Sequence, residues 1–311
     1  SGLAIQPQNS SSALGTPVVV TIPSASKFQQ WDVGRQGHHP KKGISGTDRI
    51  PDPPFADPTK SVIEHIYGAT RDASWSYTWG SQTRDAFSFI EPHHTFNPMQ
   101  WGNFWFAHGG RVPPIERVRN DIQATGKPVN FMGFNEPDKA NQSNMSVSAA
   151  ISRWPRLQAL DAPLVSPSPA SIPTDEGWLF DFYDEADRLG YRTDFTAVHV
   201  YGSPNADAVI QNLESIYQKW GRPIWLTEFS VVRWVGTATW THADNFNFLA
   251  EFLWKAESLP WLARYCLFNF RESADGPNQS ASDPAEAPRS NSLLSDGTLT
   301  PSASFTPLGM A

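Results

Sequence analysis

Short apolar or aromatic runs recur along most of the chain, each bounded by Gly, Pro or Asp and separated by roughly 30 residues. Runs of this length and spacing are typical of buried strands that alternate with helices. The pattern predicts eight strands, at residues 40–46, 74–80, 94–102, 129–137, 163–170, 194–202, 223–230 and 263–270.

Amphipathic helices are predicted between most of these strands. In residues 206–220 the apolar side chains follow the i, i+4, i+7 and i+11 spacing of one helix face, and Gly221 and Pro223 end the helix. Parallel strands need such crossovers, so eight alternating units predict an α/β fold, a (β/α)8 TIM barrel. The same reasoning predicts further helices at 113–126, 146–160, 177–189 and 241–258.

The length of 311 residues suits one barrel with short extensions. Residues 1–38 are rich in Ser, Pro and Gln, and we expect them to form an N-terminal arm packed on the barrel. Residues 39–311 then form a single catalytic barrel domain. The first predicted strand is not followed by a Gly-rich phosphate loop, which argues against a nucleotide-binding fold.

The charge balance excludes several classes of partner. The net charge is −7 and no basic run occurs, so we expect no nucleic-acid partner. No apolar stretch is long enough to span a bilayer, so no membrane partner is expected. The single cysteine, Cys266, lies in an apolar run and is interpreted as a small buried hydrophobic residue.

Two glutamates stand at the carboxyl ends of predicted strands, where barrel enzymes carry their active sites. Asn135 and Glu136 end the fourth strand, and Glu228 ends the seventh. His199 and Tyr201 lie two residues apart near the end of the sixth strand and so share one face. We expect Tyr201 to donate a hydrogen bond that keeps Glu228 ionised, and Asn135 to bind a sugar hydroxyl.

A pair of carboxyl groups is what glycoside hydrolysis requires. One must be protonated to assist the leaving oxygen, while the other must be ionised to attack or stabilise the anomeric carbon. Either glutamate alone is as well explained as a solvated loop charge. Both lie within apolar runs where an unneeded charge is costly, which favours the catalytic interpretation. His199 alone fits equally well a buried barrel histidine.

Tryptophan is unusually frequent, with 13 residues where average usage predicts about four. The flat indole face can stack on the apolar face of a glucose ring, so Trp79, Trp101 and Trp234 are predicted substrate contacts. Trp75 and Tyr77 fit filling of the barrel interior better. The paired histidines of the sequence lack the carboxylate spacing of a metal site, so no metal is predicted.

The strings FMGFNEPDKANQSNMS (131–146), VHVYG (198–202), WLTEFS (225–230), SWSYTWG (74–80) and MQWG (99–102) carry a specific resemblance. Across residues 40–309 the chain resembles glycoside hydrolase family 128, the "glycosyl hydrolase catalytic core" family of clan A, to which fungal alkali-sensitive linkage proteins also belong. The resemblance implies a (β/α)8 barrel, retention of configuration and action on β-1,3-glucan. It also implies that Glu136 is the acid/base and Glu228 the nucleophile.

We therefore expect a retaining, endo-acting β-1,3-glucanase that binds β-glucan polysaccharide or oligosaccharide, without a cofactor and as a monomer. A secreted, extracellular and cell-wall-associated location is expected, with weak support from Asn-x-Ser sequons at Asn9, Asn141, Asn144 and Asn278. Two alternatives stay open. One is a non-hydrolytic or exo-acting protein of the same fold that binds β-glucan oligosaccharides in the cell wall. The other is an enzyme for a different β-linked glycan.

Overall fold

The computed structural model divides the chain into two compact units, residues 1–38 and residues 39–311. In the first unit, strand β1 (Ala4–Pro7) pairs antiparallel with β2 (Val18–Thr21). Packing of this predicted arm on the barrel stays a prediction. The structure describes residues 4–7, 18–21, 39–45, 73–81, 95–103, 113–125, 129–170, 177–231, 240 and 242–268.

Strands and helices alternate through most of the second unit, as the hydrophobic pattern predicts. Its strands are β3 (His39–Ser45), β4 (Ala73–Tyr77), β5 (Thr95–Phe96), β6 (Phe131–Met132), β7 (Leu164–Val165), β8 (Thr196–Gly202), β9 (Ile224–Val231) and β10 (Leu262–Leu267). The helices within the described ranges are α1 (Pro114–Thr125), α2 (Val147–Gln158), α3 (Trp178–Arg188), α4 (Ala206–Trp220) and α5 (His242–Glu257).

The strand pairing is parallel throughout this unit. One sheet has the order β5-β4-β3-β10-β9-β8, and β6 pairs with β7 in a second. Isolated parallel bridges join Met99 to Met132 and Val165 to Phe195. The predicted α/β class, with a mostly parallel sheet and connecting helices, is confirmed. Closure of these strands into a barrel stays a prediction.

Three strands are shorter than the hydrophobic pattern predicts. Strands β5, β6 and β7 have two residues each. Proline explains two of the early ends, because Pro98 and Pro167 lack the N–H that a continuing ladder would need. Polar residues at these strand ends are therefore carried by irregular backbone rather than by regular strand.

Helix ends agree with the capping residues in the sequence. Ser146 accepts a hydrogen bond from the Ala149 N–H at the start of α2, and Asn205 does the same for Ala208 at the start of α4. Helix α4 ends at Gly221, whose φ of 65° is the left-handed conformation that glycine adopts most easily. The predicted end of this helix at Gly221 matches the structure.

Two apolar clusters form the core among the described residues of the second unit. The larger lies between helices and strands and includes Trp154, Phe182, Phe229 and Phe252. The smaller, which we call the inner cluster, consists of Trp75, Tyr77, Met99, Met132, Val165, Ala197, Trp225 and Cys266. Each of its residues comes from a strand or from the residues next to one, so the strands share an apolar cluster apart from the larger one.

A buried arginine packs on the inner cluster. The Arg264 guanidinium carbon lies 4.2 Å from the centroid of the Trp225 ring and 5.2 Å from that of Trp75. Burial lowers the pKa of Arg264 to about 10. Cys266 is fully buried, and burial raises the pKa of its thiol, which agrees with its interpretation as a hydrophobic residue.

Among the helices of the described residues, none combines the length and the apolar character needed to cross a membrane.

Gly43 allows strand β3 to approach the inner cluster. A β-carbon at this position would overlap with the indole ring of Trp75, which is fully buried and cannot move aside easily. We expect Gly43→Ala to lower the free energy of unfolding by about 1–3 kcal/mol, measured by urea denaturation. Gly202→Ala is the control, because a β-carbon there meets no atom within 4 Å. Equal stability of the two variants would contradict this account.

Candidate active site

A β-bulge orients Glu228 on strand β9. Val198 pairs with Leu226 while the next residue, His199, pairs with Glu228, so Thr227 is an extra residue in β9. The Thr227 hydroxyl lies 3.2 Å from the Ser168 hydroxyl and donates to the Val198 carbonyl at 3.3 Å. The bulge therefore places Glu228 beside His199, and Glu228 is only 4% exposed.

Glu136 is held by an unusual backbone conformation just after β6. Its φ is 41°, which is uncommon for a residue with a side chain and costs about 1–3 kcal/mol. Its N–H donates to the Ser168 carbonyl at 2.7 Å, and the preceding residue, Asn135, forms a parallel bridge with Ser168. Packing against the next strand thus imposes the turn that directs Glu136 toward the interior of the site.

His199 lies between the two glutamates. Its Nδ1 lies 2.9 Å from Glu136 Oε1 at hydrogen-bond distance, and its Nε2 lies 3.5 Å from Glu228 Oε1 without hydrogen-bond geometry. One oxygen from each glutamate and one ring nitrogen all lie within 4.8 Å of one another. The histidine is fully buried, so it interacts with both carboxyl groups without competition from water.

Three aromatic donors surround the Glu228 carboxylate. Trp79 Nε1 donates to Oε1 at 2.7 Å, and the Tyr77 hydroxyl approaches the same oxygen at 3.2 Å. The Tyr201 hydroxyl donates to Oε2. Hydrogen bonds of this kind favour the ionised form of a carboxyl group, because each donor stabilises the negative charge. The arrangement suits a carboxylate that must stay charged in a buried site.

The electrostatics of the site keep both tyrosines protonated. Burial raises the pKa of Tyr77 and Tyr201 well above the ordinary value, and the charge of Glu228 raises it further. Burial alone would lower the pKa of His199, but the charges of Glu228 and Glu136 outweigh this effect and raise it overall. The tyrosines are therefore hydrogen-bond donors at all physiological pH values, whereas His199 is the group whose proton can be exchanged.

The other predicted site residues lie close to this pair or outside the described residues. The Trp101 carbonyl accepts a hydrogen bond from the Asn135 N–H at 2.9 Å, and the partly exposed Trp101 packs against the inner cluster. Asn135 Nδ2 lies 3.4 Å from Gln142 Oε1, and its buried Oδ1 has no partner among the described residues. Trp234 lies outside the described residues.

Sequence reasoning missed two aromatic residues of the site. Tyr77 was interpreted as interior filling, and it is fully buried, yet its hydroxyl contacts both Glu228 and the Thr227 carbonyl. Phe268, directly after β10, packs its ring 6.0 Å from that of Trp79 and 5.6 Å from that of Tyr201. The alternation of Trp75, Tyr77 and Trp79 was the available signal for Tyr77, while nothing in the sequence singled out Phe268.

Glu136, His199 and Glu228 are also the described residues that could hold a metal ion, because each offers one ligand atom at suitable spacing. Direct hydrogen bonds among protein groups already account for much of this arrangement. The expectation of no metal and no cofactor stays a prediction.

The chain is similar to known proteins over most of its length. The sequence profile of the glycosyl hydrolase catalytic core family matches residues 58–305, most of the chain. The chain belongs to this family, glycoside hydrolase family 128. It is therefore a member of a family of glycoside hydrolases, as the sequence motifs predict.

Solved structures of the family have the same fold. An endo-β-1,3-glucanase of family 128, subgroup I, from Amycolatopsis mediterranei in complex with laminaripentaose is 25% identical, with a TM-score of 0.62 over 87% of this chain and 97% of that chain. A subgroup VI exo-β-1,3-glucanase from Aureobasidium namibiae is 21% identical, with a TM-score of 0.60 over 88% of this chain and 95% of that one.

A relative known by sequence is the alkali-sensitive linkage protein 1 of Schizosaccharomyces pombe. It is 28% identical over 171 residues, which are 52% of this chain and 28% of the relative. The chain thus matches only about a quarter of the length of this curated relative.

The position of His199 between two carboxyl groups predicts its titration. We expect its imidazole to titrate above about 6.5 in NMR spectra, and Glu136→Gln to lower the midpoint because one negative partner is removed. Because the folded-state pKa is raised, the stability that protonated His199 adds is fully present below about pH 6.5 and is lost as the pH rises through the folded-state pKa. A midpoint below 6.5 in the unaltered protein would contradict the proposed interactions.

Proposed function

We propose that this protein is a retaining, endo-acting β-1,3-glucanase, with Glu136 as the acid/base and Glu228 as the nucleophile. The observation that carries the proposal is the close approach of the two glutamates, with oxygens within 4.8 Å, in one buried cluster with His199. Retaining enzymes hold their two carboxyl groups about 5–5.5 Å apart, whereas inverting enzymes separate them by about 6.5–9.5 Å to admit a water. The spacing supports retention.

The different surroundings of the two glutamates support their roles. Glu228 accepts hydrogen bonds from Trp79, Tyr77 and Tyr201, so its environment favours the charged form that a nucleophile needs. Glu136 has fewer partners and is more exposed, with 12% of its side chain accessible against 5% for Glu228. A group that exchanges protons with a leaving oxygen and then with water needs such access.

The reaction then proceeds in two steps. Glu136 gives its proton to the glycosidic oxygen while a Glu228 oxygen forms a bond to the anomeric carbon, and the glycosidic bond breaks. Glu136, now ionised, takes a proton from water as the water oxygen displaces Glu228. His199 is hydrogen-bonded to Glu136, so a proton on its ring stabilises Glu136 once that group is ionised.

The substrate class rests on the relatives. The subgroup I structure from Amycolatopsis mediterranei is an endo-β-1,3-glucanase in complex with laminaripentaose, a β-1,3-glucan oligosaccharide. In this chain, Trp79 and Trp101 are partly exposed and pack against the inner cluster, and Trp79 contacts Glu228, so both are suited to stack on glucose rings. We propose that Trp234 also contacts the substrate. We further propose that the protein is a secreted, cell-wall-associated monomer.

We further propose that the eight parallel strands close into a (β/α)8 barrel. The supporting observations are the two isolated bridges, because one joins Met99, after β5, to β6 and the other joins β7 to Phe195, before β8. The backbone hydrogen bonds from Gln100 to the Met132 carbonyl and from Ser166 to the Phe195 carbonyl, both 2.9 Å long, lie at these junctions. Closure would bring Glu136 and Glu228 to the same rim.

A second candidate function is binding of β-glucan oligosaccharides without cleavage. It is favoured by a subgroup VII oligosaccharide-binding protein of family 128 from Trichoderma gamsii, which is 19% identical with a TM-score of 0.53 over 73% of this chain and 81% of that one. The presence of both glutamates with their donors counts against this alternative. Exo action is the other alternative, because the family structure from Aureobasidium namibiae is an exo-β-1,3-glucanase.

Two substitutions test the catalytic roles. We expect Glu136→Gln and Glu228→Gln each to reduce the release of reducing ends from laminarin by about 100-fold or more, because each removes an essential proton donor or nucleophile. Glu251→Gln is the matched control, because Glu251 is exposed and pairs only with Lys255 on α5. Activity retained in either variant would overturn the assignment, and an inactive unaltered protein that binds laminarin would favour the binding alternative.

The stereochemistry and size of the products test the proposals of a retaining mechanism and of endo action. We expect NMR to show the β-anomer as the first product, because two displacements at the anomeric carbon restore its configuration. Chromatography should show oligosaccharides of several lengths from the start of the reaction. An initial α-anomer would contradict retention, and glucose as the sole early product would indicate exo action.

A further inference from the structure

The two oxygens of the Glu228 carboxylate have unequal surroundings. Three groups face Oε1: Trp79 Nε1 at 2.7 Å, the Tyr77 hydroxyl at 3.2 Å and His199 Nε2 at 3.5 Å. Among the described residues, Oε2 accepts a hydrogen bond only from Tyr201. Oε1 is therefore the more crowded of the two oxygens, and Oε2 is the more open one.

Trp79 is the principal donor to Oε1. The Tyr77 hydroxyl has a single hydrogen and lies closer to the Thr227 carbonyl, at 2.9 Å, than to Glu228. The contact of His199 lacks hydrogen-bond geometry. The indole N–H of Trp79, by contrast, makes a short, charge-assisted hydrogen bond of 2.7 Å with the carboxylate.

The backbone and the neighbouring rings hold Trp79 in this orientation. Its φ of 57° lies in the left-handed region, which a bulky residue adopts only when its surroundings require it. Its ring makes edge contacts with Tyr77 at 5.3 Å and with Phe268 at 6.0 Å, nearly perpendicular to each. Strain of this kind next to a reacting group indicates a positioning role rather than simple interior filling.

We propose that Trp79 is a positioning residue that fixes Oε1 of Glu228 through its indole N–H and so leaves Oε2 as the oxygen that attacks the sugar. The inference rests on the proposed retaining mechanism. In its first step, a lone pair of Oε2 forms the bond to the anomeric carbon. The electrons of the glycosidic bond pass to the leaving oxygen, which takes the proton of Glu136. The C=O character of the resulting ester moves to Oε1, which keeps its hydrogen bond from Trp79.

The substitution Trp79→Phe distinguishes this positioning role from a role in stacking on the sugar ring. Trp79→Phe keeps a smaller aromatic ring for a sugar and removes the N–H donor. We expect kcat/KM on laminarin oligosaccharides to fall by about 10- to 100-fold, mostly through kcat, as for loss of a hydrogen bond to a charged group. KM should change much less than kcat, because an aromatic ring stays available to contact the sugar.

Trp154→Phe is the matched control. Trp154 is fully buried and its indole N–H donates to the Arg192 carbonyl at 2.9 Å, away from the glutamates. We expect this variant to lose stability with its kcat unchanged. A Trp79→Phe variant with unchanged kcat, or one affected only in KM, would overturn the positioning role.

The attacking oxygen is identified by trapping the intermediate. A β-1,3-linked disaccharide with fluorine at the 2-position of the reacting sugar and a good leaving group at its anomeric carbon should accumulate the covalent sugar–enzyme ester. Mass spectrometry of the intact protein should show the added sugar, and a crystal structure should show the anomeric carbon bonded to the oxygen that faces Tyr201. The other oxygen should still accept from Trp79.

The two possible failures are distinguishable. A covalent adduct bonded through the oxygen that faces Trp79 would overturn this inference while leaving the retaining mechanism intact. Absence of any adduct, in protein that hydrolyses laminarin at its normal rate, would overturn the retaining mechanism and the inference with it.

Discussion

The site depends on the burial of one negative charge. Glu228 is 4% exposed, and an isolated carboxylate in such an environment would be neutralised or would destabilise the fold. Donors from two other strands or strand ends prevent this, since Trp79 and Tyr77 come from β4 and its end and Tyr201 comes from β8. The same hydrogen bonds that make the charge tolerable therefore also join the strands around the site.

The groups that stabilise the two carboxyl groups are neutral hydrogen-bond donors and one histidine. Within the described residues, no lysine or arginine contacts either glutamate, and His199 is the nearest group that can carry a positive charge. Its raised pKa follows from the two carboxyl groups on either side of the ring, which outweigh the effect of burial. A proton on His199 thus depends on the negative charge of the two carboxyl groups.

The abundance of tryptophan has more than one physical cause. Trp75 and Trp225 are buried in the inner cluster, where they also pack on Arg264. Trp154 is buried in the larger apolar cluster. Trp79 packs its ring against the inner cluster and directs its polar N–H at Glu228. Large aromatic side chains supply both apolar volume and a hydrogen-bond donor, so one residue type can serve the core and the site.

Hydrophobic periodicity was sufficient to predict the order of the described strands and helices, because this order depends on local spacing in the chain. The predicted strand ends were wrong at both glutamates, because β9 continues to Val231, so that Glu228 lies within it, and β6 ends at Met132, before Glu136. The periodicity also placed His199 and Tyr201 on one face of β8. The bulge at Thr227 and the left-handed backbone of Trp79 and Glu136 could not be predicted in this way. These features are imposed by packing between strands distant in sequence. Only the tertiary structure therefore decided which oxygen of Glu228 each donor reaches, and that Tyr77 is one of those donors.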